Sequence, residues 1–344
     1  MSKLSIRQAQ ANRETSAFRS PKDMKRYWIM FSLFLVMGVV MAIALVLYNN
    51  PVPLGSSSFF PIIRRRVVSI IAMALAATCQ SLATVAFQSI THNRVITPSL
   101  LGFEALYSTI QTGTMFFFGV TAFQQFSNLS SFMLQVFLMI AMSFLLYAWL
   151  LRGKSGDLQL LLIIGVMIGT GLRSLSTFMR RLLAPSEFDV LQARLFGSVN
   201  HADPSYFPIA IPLVLIAALA LFFLAKKLNL LSLGQDIATS LGVGYKSLLT
   251  LILILVSVLM SVSTALVGPL TFFGFLIATL SYEASGTYDH RYIFPMTLVI
   301  GFFTLSGSYF IMNHVFNAQG VVSVIIELIG GLAFLFVILR KGVA

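Results

Sequence analysis

Few side chains in this sequence have the chemistry of a catalytic site. The four histidines, His92, His201, His290 and His314, lie far apart, and none stands at a metal-ligand spacing such as HExxH. The sequence has no Walker-type phosphate loop, and no serine, histidine and aspartate read together as one nucleophilic site. A single cysteine, Cys79, excludes an intramolecular disulfide and a CxxC metal pair; inside an apolar run it reads as a small packing residue. What stands out instead are ionisable residues in or near apolar runs: Glu104, Arg173 and Glu327. Charge is costly in hydrocarbon, so such groups face a cavity or a partner. They point to a substrate path or to pairing between helices. Gly165 and Gly169 form a GxxxG with Thr170 and Gly171 beside it; this suits close helix packing or room along a pore.

The elements that position these residues follow from composition. Of 344 residues, 58% are apolar and 10% charged, against roughly 25% charged in a soluble domain. The apolar residues come in runs of the length that crosses a bilayer. We read an all-α, polytopic membrane protein with about ten spans: 28–48, 67–90, 100–120, 130–151, 158–179, 206–225, 247–267, 272–282, 293–312 and 321–339. Residues 1–27 form a basic tail, and 28–344 one transmembrane domain. The net charge of +12 does not signal nucleic acid, because seven of the 23 basic residues (Lys3, Arg7, Arg13, Arg19, Lys22, Lys25, Arg26) precede the first apolar run. That is the positive-inside signature, and it places the N-terminus in the cytoplasm. Ten spans bring the C-terminus, with Arg340 and Lys341, to the same side. Arg94, Arg152, Lys154, Lys226, Lys227, Lys246 and Arg291 fall there too. Arg64, Arg65 and Arg66 oppose the rule on the outer side and call for a reason. A long polar lead and the lack of a cleavage site after the first run argue against a signal peptide.

Residues 228–245 are the most informative loop. Leu233, Ile237 and Leu241 recur at spacing four on one face of a short helix. Ser232 or Asp236 is the expected cap, and Gly242 and Gly244 the expected end. A short amphipathic helix in a cytoplasmic loop lies on the membrane or docks into a partner's groove.

This loop resembles the coupling segment LxLGxxxAxxLG of the FecCD/BtuC-like family, the permease subunits of iron-siderophore and vitamin B12 ABC importers. The match is carried by Leu231, Leu233, Gly234, Ala238, Leu241 and Gly242. Further resemblances follow in the family's order: Gln88 and Asn93 with Pro98, Leu100, Leu101 and Gly102; Gly197-Ser198; Gly268-Pro269-Leu270-Thr271-Phe272-Phe273-Gly274; Asp289-His290-Arg291 with Pro295 and Gly301; and Gly330-Gly331. The chain departs from the pattern at Ile63-Arg64-Arg65-Arg66, Gly102-Phe103-Glu104, Ala278-Thr279 and Gly307-Ser308.

The resemblance implies a BtuC-like type II ABC importer permease in the bacterial inner membrane, carrying a ferric siderophore of catecholate or mixed type. It implies a second permease subunit, identical or paralogous, and a cytoplasmic ATPase that holds the ATP and Mg, with no cofactor or metal on this chain. A periplasmic or lipid-anchored binding protein would deliver the substrate. Leu233, Gly234, Asp236, Ala238, Leu241 and Gly242 would contact the ATPase, and Arg64, Arg65 and Arg66 would receive acidic residues of the binding protein. Gln88, Glu104, Gly165, Gly169 and Thr170 would belong to the translocation path. An ion-coupled secondary transporter, the main rival, needs mid-membrane carboxylates, and only Glu104 and Glu327 qualify. A membrane-embedded enzyme is disfavoured by the missing catalytic clusters.

Overall fold

The computed structural model describes residues 17–49, 53, 56–57, 59–125, 128–151, 158–199, 202–316 and 322–342, all helix and connection among those residues. The helices are α1 (Pro21–Leu47), α2 (Phe59–Thr91), α3 (Phe103–Gln125), α4 (Leu129–Leu151), α5 (Leu158–Arg181), α6 (Pro185–Leu195), α7 (Phe207–Leu231), α8 (Gln235–Ser240), α9 (Tyr245–Val267), α10 (Phe273–Ser285), α11 (His290–His314) and α12 (Val322–Gly342). Ten of them carry the expected spans in order. α8 is the expected loop helix, and α6 fills part of the gap at 182–205. Six (α1, α2, α5, α7, α9 and α11) are individually long and apolar enough to cross a membrane. α10, with 13 residues, is only about 20 Å long and cannot cross alone. Lys3, Arg7, Arg13, Arg152, Lys154 and His201 lie outside the described residues.

Local chemistry sets the helix ends and moves three of them from their expected places. α1 starts at Pro21 because Ser20 caps it, accepting a hydrogen bond from the Asp23 amide at 3.2 Å, with proline in the first turn. α2 begins at Phe59, so Arg64–Arg66 are helical residues rather than part of a loop. The third span does not begin as an α-helix at Leu100. Pro98–Leu101 is a 3₁₀ turn, and Gly102 then takes a left-handed conformation (φ 93°) before α3 starts. α3 itself breaks at Gly119 (φ 73°, ψ −179°). α6 starts at Pro185, where the Glu187 carboxylate accepts from the Ala184 amide at 3.1 Å.

Contacts fix the helix directions. Ring pairs Tyr27–Tyr292, Phe34–Phe303 and Tyr48–Phe310, at 5.4, 5.7 and 5.7 Å, run α1 parallel to α11. Hydrogen bonds from Thr109 to the Leu172 carbonyl and between Thr112 and Ser176 run α3 parallel to α5. Ser81 meets the Thr297 carbonyl and Ser89 meets His290, so α2 is antiparallel to α11. α1 and α11 therefore point one way with α2 opposed to them, and α3 and α5 share a direction. Arg19, Arg94, Lys226, Lys246 and Arg291 lie at the end where α1 begins, called here the basic end.

α2 is the central post. Ala72, Ala76, Ala77, Cys79, Ala83 and Ala86 are fully or nearly fully buried, and small residues let α9, α11, α7 and α10 approach its backbone. Cys79 is the packing residue its setting suggested. Polar residues share this core: the Gln80 amide donates to Ser263 Oγ at 3.3 Å, and Thr84 packs against Gly274 of α10. By contrast α1 turns Leu33, Val36, Val40, Ile43 and Leu47 outward, as a lipid-facing helix does.

Candidate functional site

At the basic end, the α7–α9 connection presents α8 as a rigid knob. Gly234 precedes α8 at φ 103°, a conformation that disfavours any side chain. α8 ends in a Schellman motif: the Val243 amide donates to the Ala238 carbonyl at 3.0 Å and the Gly242 amide to Thr239 at 2.9 Å, with Gly242 at φ 79°. Two expectations need correction. Neither Ser232 nor Asp236 caps α8. Ser232 closes α7, its hydroxyl donating to the Asn229 carbonyl at 2.8 Å, and Asp236 stands exposed in the first turn of α8. Gly244 is the residue before α9, leaving Gly242 alone to end α8. Ala238 is fully buried against α7 and α9. The other face shows Leu233, Ile237 and Leu241, 52%, 51% and 57% exposed. Three half-exposed aliphatic side chains, one on α8 and one just beyond each end of it, form a surface ready to be covered.

The opposite end holds a cleft of about 1350 Å³ lined by Arg64, Arg65, Arg66, Asp203, Asn313 and His314, among others. Arg64 and Arg65 are exposed. Arg66 is engaged: Nη1 donates to the carbonyls of Leu45, Val46 and Tyr48 at 3.2, 2.9 and 2.9 Å, and Nη2 to Asn49 at 3.2 Å. Leu45 and Val46 lie in the last turn of α1, whose carbonyls lack a partner within their own helix and carry its negative dipole end, and Tyr48 and Asn49 follow directly after it. One of the three adjacent arginines is thus accounted for by a neighbouring helix terminus.

The expected path residues separate. Gly165 and Gly169 are buried on the face of α5 that meets the 3₁₀ turn. A Cβ on Gly169 would lie 3.2 Å from the Gly102 Cα, and one on Gly165 3.0 Å from Leu101 Cδ2. Their role here is close packing within the chain, one of the two uses the spacing allowed. The far face of α5 exposes Thr170, Arg173, Ser174 and Thr177, a polar stripe on a helix that otherwise shows Ile163, Val166 and Met167. Gln88 is buried, its amide donating to the Arg94 carbonyl at 2.6 Å, which pins the loop after α2. Glu104 is 6% exposed in the first turn of α3; Thr271 donates to its Oε2 at 2.8 Å, and Oε1 has no hydrogen-bond partner. Arg173 and Glu327 are the charged groups near enough to act on it. No ion pair joins Glu104, Arg173 and Glu327 among the described residues.

Asp289, His290 and Arg291 stood out in the sequence as a motif, but not the polar cluster they form with Asn229 at the base of α8. Asp289 caps α11, accepting from the Arg291 amide at 3.0 Å, and pairs with the Arg291 guanidinium at 2.5 Å. Burial works against its charge, but hydrogen bonds from Arg291 and Asn229 prevail and hold the carboxyl below its ordinary value. An Asp directly before a helix is a visible cap signal; its partner Asn229, 60 residues away, is not.

Comparison with known proteins agrees with this geometry. The model of the FecCD transport family matches residues 26–340. The petrobactin import system permease protein FatC of Bacillus anthracis is 61% identical over 330 residues, covering 96% of this chain and 93% of that one. The petrobactin import system permease protein YclO of Bacillus subtilis is 36% identical over 277 residues, covering 80% and 88%. The ferric enterobactin transport system permease protein FepD of Escherichia coli is 29% identical over 272 residues, covering 78% of each. Among solved structures, a metal-chelate type ABC transporter in an inward-facing conformation superposes with a TM-score of 0.74 at 22% identity, covering 91% of this chain and 99% of that one. At that identity the likeness speaks for the fold.

Proposed function

The chain belongs to the FecCD transport family, and from that premise we propose that it is one permease subunit of an ABC importer for a ferric siderophore of the petrobactin kind. The observation that carries the proposal is the knob at the basic end. Its exposed Leu233, Ile237 and Leu241 suit an apolar groove on a cytoplasmic ATPase, and its brace of Gly234, Ala238 and Gly242 transmits force rather than absorbing it. In this reading the basic end and both termini lie in the cytoplasm, the membrane is the bacterial inner membrane, and residues 28–344 act as one domain behind a basic tail. The chain breaks no bond itself; ATP and Mg are held by the ATPase, which biases the permease between inward- and outward-open states. At the other end, Arg64 and Arg65 line a cleft that a binding protein's acidic residues would enter, while Arg66 keeps that rim in shape. Thr170 and Arg173, with Glu104 behind them, mark the translocation path.

The second permease subunit is a paralogue in this proposal. Bacillus anthracis has two petrobactin import permeases among the relatives, FatC at 61% identity and FatD at 26%, and Bacillus subtilis likewise has YclO and YclN. This chain takes the FatC-like place. Reconstitution with the paralogue, the ATPase and the binding protein should give uptake of ferric petrobactin that requires ATP. Uptake driven by an ion gradient without ATP would overturn the proposal in favour of a secondary transporter.

A further inference from the structure

We propose that Asn229, His290 and Ser89 form a positioning knot that carries movement of α8 into the two helices running through the core, α2 and α11. The inference rests on the reading of α8 as the ATPase contact.

Asn229 stands two residues before the end of α7, at the root of the knob. Its Nδ2 donates to Asp289 Oδ1 at 3.0 Å, which fixes the amide orientation, because only the N–H side can face a carboxylate. Asn229 Oδ1 then accepts from the His290 backbone amide at 3.0 Å and from Nδ1 at 2.5 Å. Nδ1 of His290 therefore carries a proton, and its Nε2 lies 2.6 Å from the Ser89 hydroxyl of α2, whose single proton is shared between Nε2 and the Val85 carbonyl 2.8 Å away. A second tie joins the same two elements: His92, directly after α2, meets the carbonyl of Leu231, the last residue of α7, at 3.0 Å. The imidazole of His290 is 3% exposed. Opening the knot would leave buried donors and acceptors unpaired, so α7, α2 and α11 move together at this end. α8 cannot shift alone either, since Ala238 is buried where it packs against α7 and α9.

The same two long helices reach the cleft at the opposite end. α2 brings Arg64, Arg65 and Arg66 there, and α11 brings Tyr309, whose hydroxyl accepts from the Val199 amide, together with Asn313 and His314. A push on α8 is thereby delivered, through 33- and 25-residue helices, to the rim where substrate enters. The coupling is reciprocal, so binding-protein docking at the rim alters the ATPase contact.

The test uses the full complex in proteoliposomes with ferric petrobactin, comparing Asn229→Ala, Ser89→Ala and Ser89→Thr with the parent. Assembly with the ATPase and basal ATP hydrolysis should stay within twofold for all three, because the apolar face of α8 is untouched. Asn229→Ala and Ser89→Ala should lose tenfold or more of both uptake and the stimulation of hydrolysis by the binding protein, while Ser89→Thr, which keeps the hydroxyl, should retain them. Should Asn229→Ala fail to assemble, the serine pair decides. Parent-like coupling in Ser89→Ala, or equal loss in the alanine and threonine variants, would overturn the proposal. A parent complex that binds no ATPase would instead bring down the underlying functional reading.

Discussion

Replacing the apolar face of α8 tests the coupling surface with a magnitude that can be worked out beforehand. Leu233, Ile237 and Leu241 are 52%, 51% and 57% exposed in the free chain. Fully burying a leucine or isoleucine is worth about 1.5–3 kcal/mol, so covering the remaining half of each contributes about 1 kcal/mol, or about 3 kcal/mol for the three. With about 1.4 kcal/mol per tenfold in affinity, Leu241→Ala should weaken ATPase association about fivefold and the triple alanine variant on the order of a hundredfold. Leu241→Asp should do worse than Leu241→Ala, because a carboxylate pressed into an apolar groove loses its water at a cost of several kcal/mol. None of these changes touches the core, so the folded permease should lose no more than about 0.5 kcal/mol. The assay is a binding titration of the ATPase against the permease in nanodiscs, with ferric petrobactin uptake alongside. Phe223→Ala is the control: that ring is 83% exposed, but it sits eight residues before the end of α7, about 12 Å back from the α8 knob. Affinity of the triple variant within twofold of the parent would refute the reasoning.

Three more outcomes follow from the geometry. Gly274→Ala should destabilise the purified protein by about 1–3 kcal/mol, read as a lower thermal midpoint, because its new methyl collides with the Thr84 hydroxyl; Gly113→Ala, with open space around the site, should not. Arg66→Ala should lower thermal stability by about 1–3 kcal/mol by freeing the α1 carbonyls, whereas Arg64→Ala with Arg65→Ala should leave stability unchanged and flatten the salt dependence of binding-protein association. Asp289 has a folded-state pKa below its ordinary 3.8, so its stabilising contribution is present above that value and drains away as the pH falls through the depressed one; Asp289→Asn should flatten the acid limb of a thermal-midpoint profile. A limb unchanged by that substitution would assign the acid sensitivity elsewhere.

Hydropathy carried most of the architecture, because a bilayer imposes a length and a composition on every span; α1 and α7 show this in their nearly unbroken apolar runs. It failed where the chain enters the protein interior without being a simple span. Pro98 and Gly102 read locally as breakers, yet only the packed partner Gly169, 67 residues away, shows why the turn must sit so close to α5. The amphipathic pattern of α8 was legible because its apolar face is unpartnered within the chain, so the sequence periodicity is the surface itself. Arg66 shows the reverse. A run of three arginines looks like one electrostatic feature, but position along α2 gives Arg66 the end of α1 and leaves Arg64 and Arg65 facing outward. The same applies to Gly165 and Thr170, five residues apart, which the helical repeat sends to opposite faces, one to packing and one to the exposed stripe. The knot at Asn229 was least legible, since its members come from α7, α2 and the start of α11, and a lone asparagine at a helix end has many ordinary uses. What marks it is the joint satisfaction of buried polar atoms drawn from three helices. A hydrogen-bond pattern of that kind is a property of the packed bundle, and it sits where force from the knob must pass if α8 is to move the entry rim.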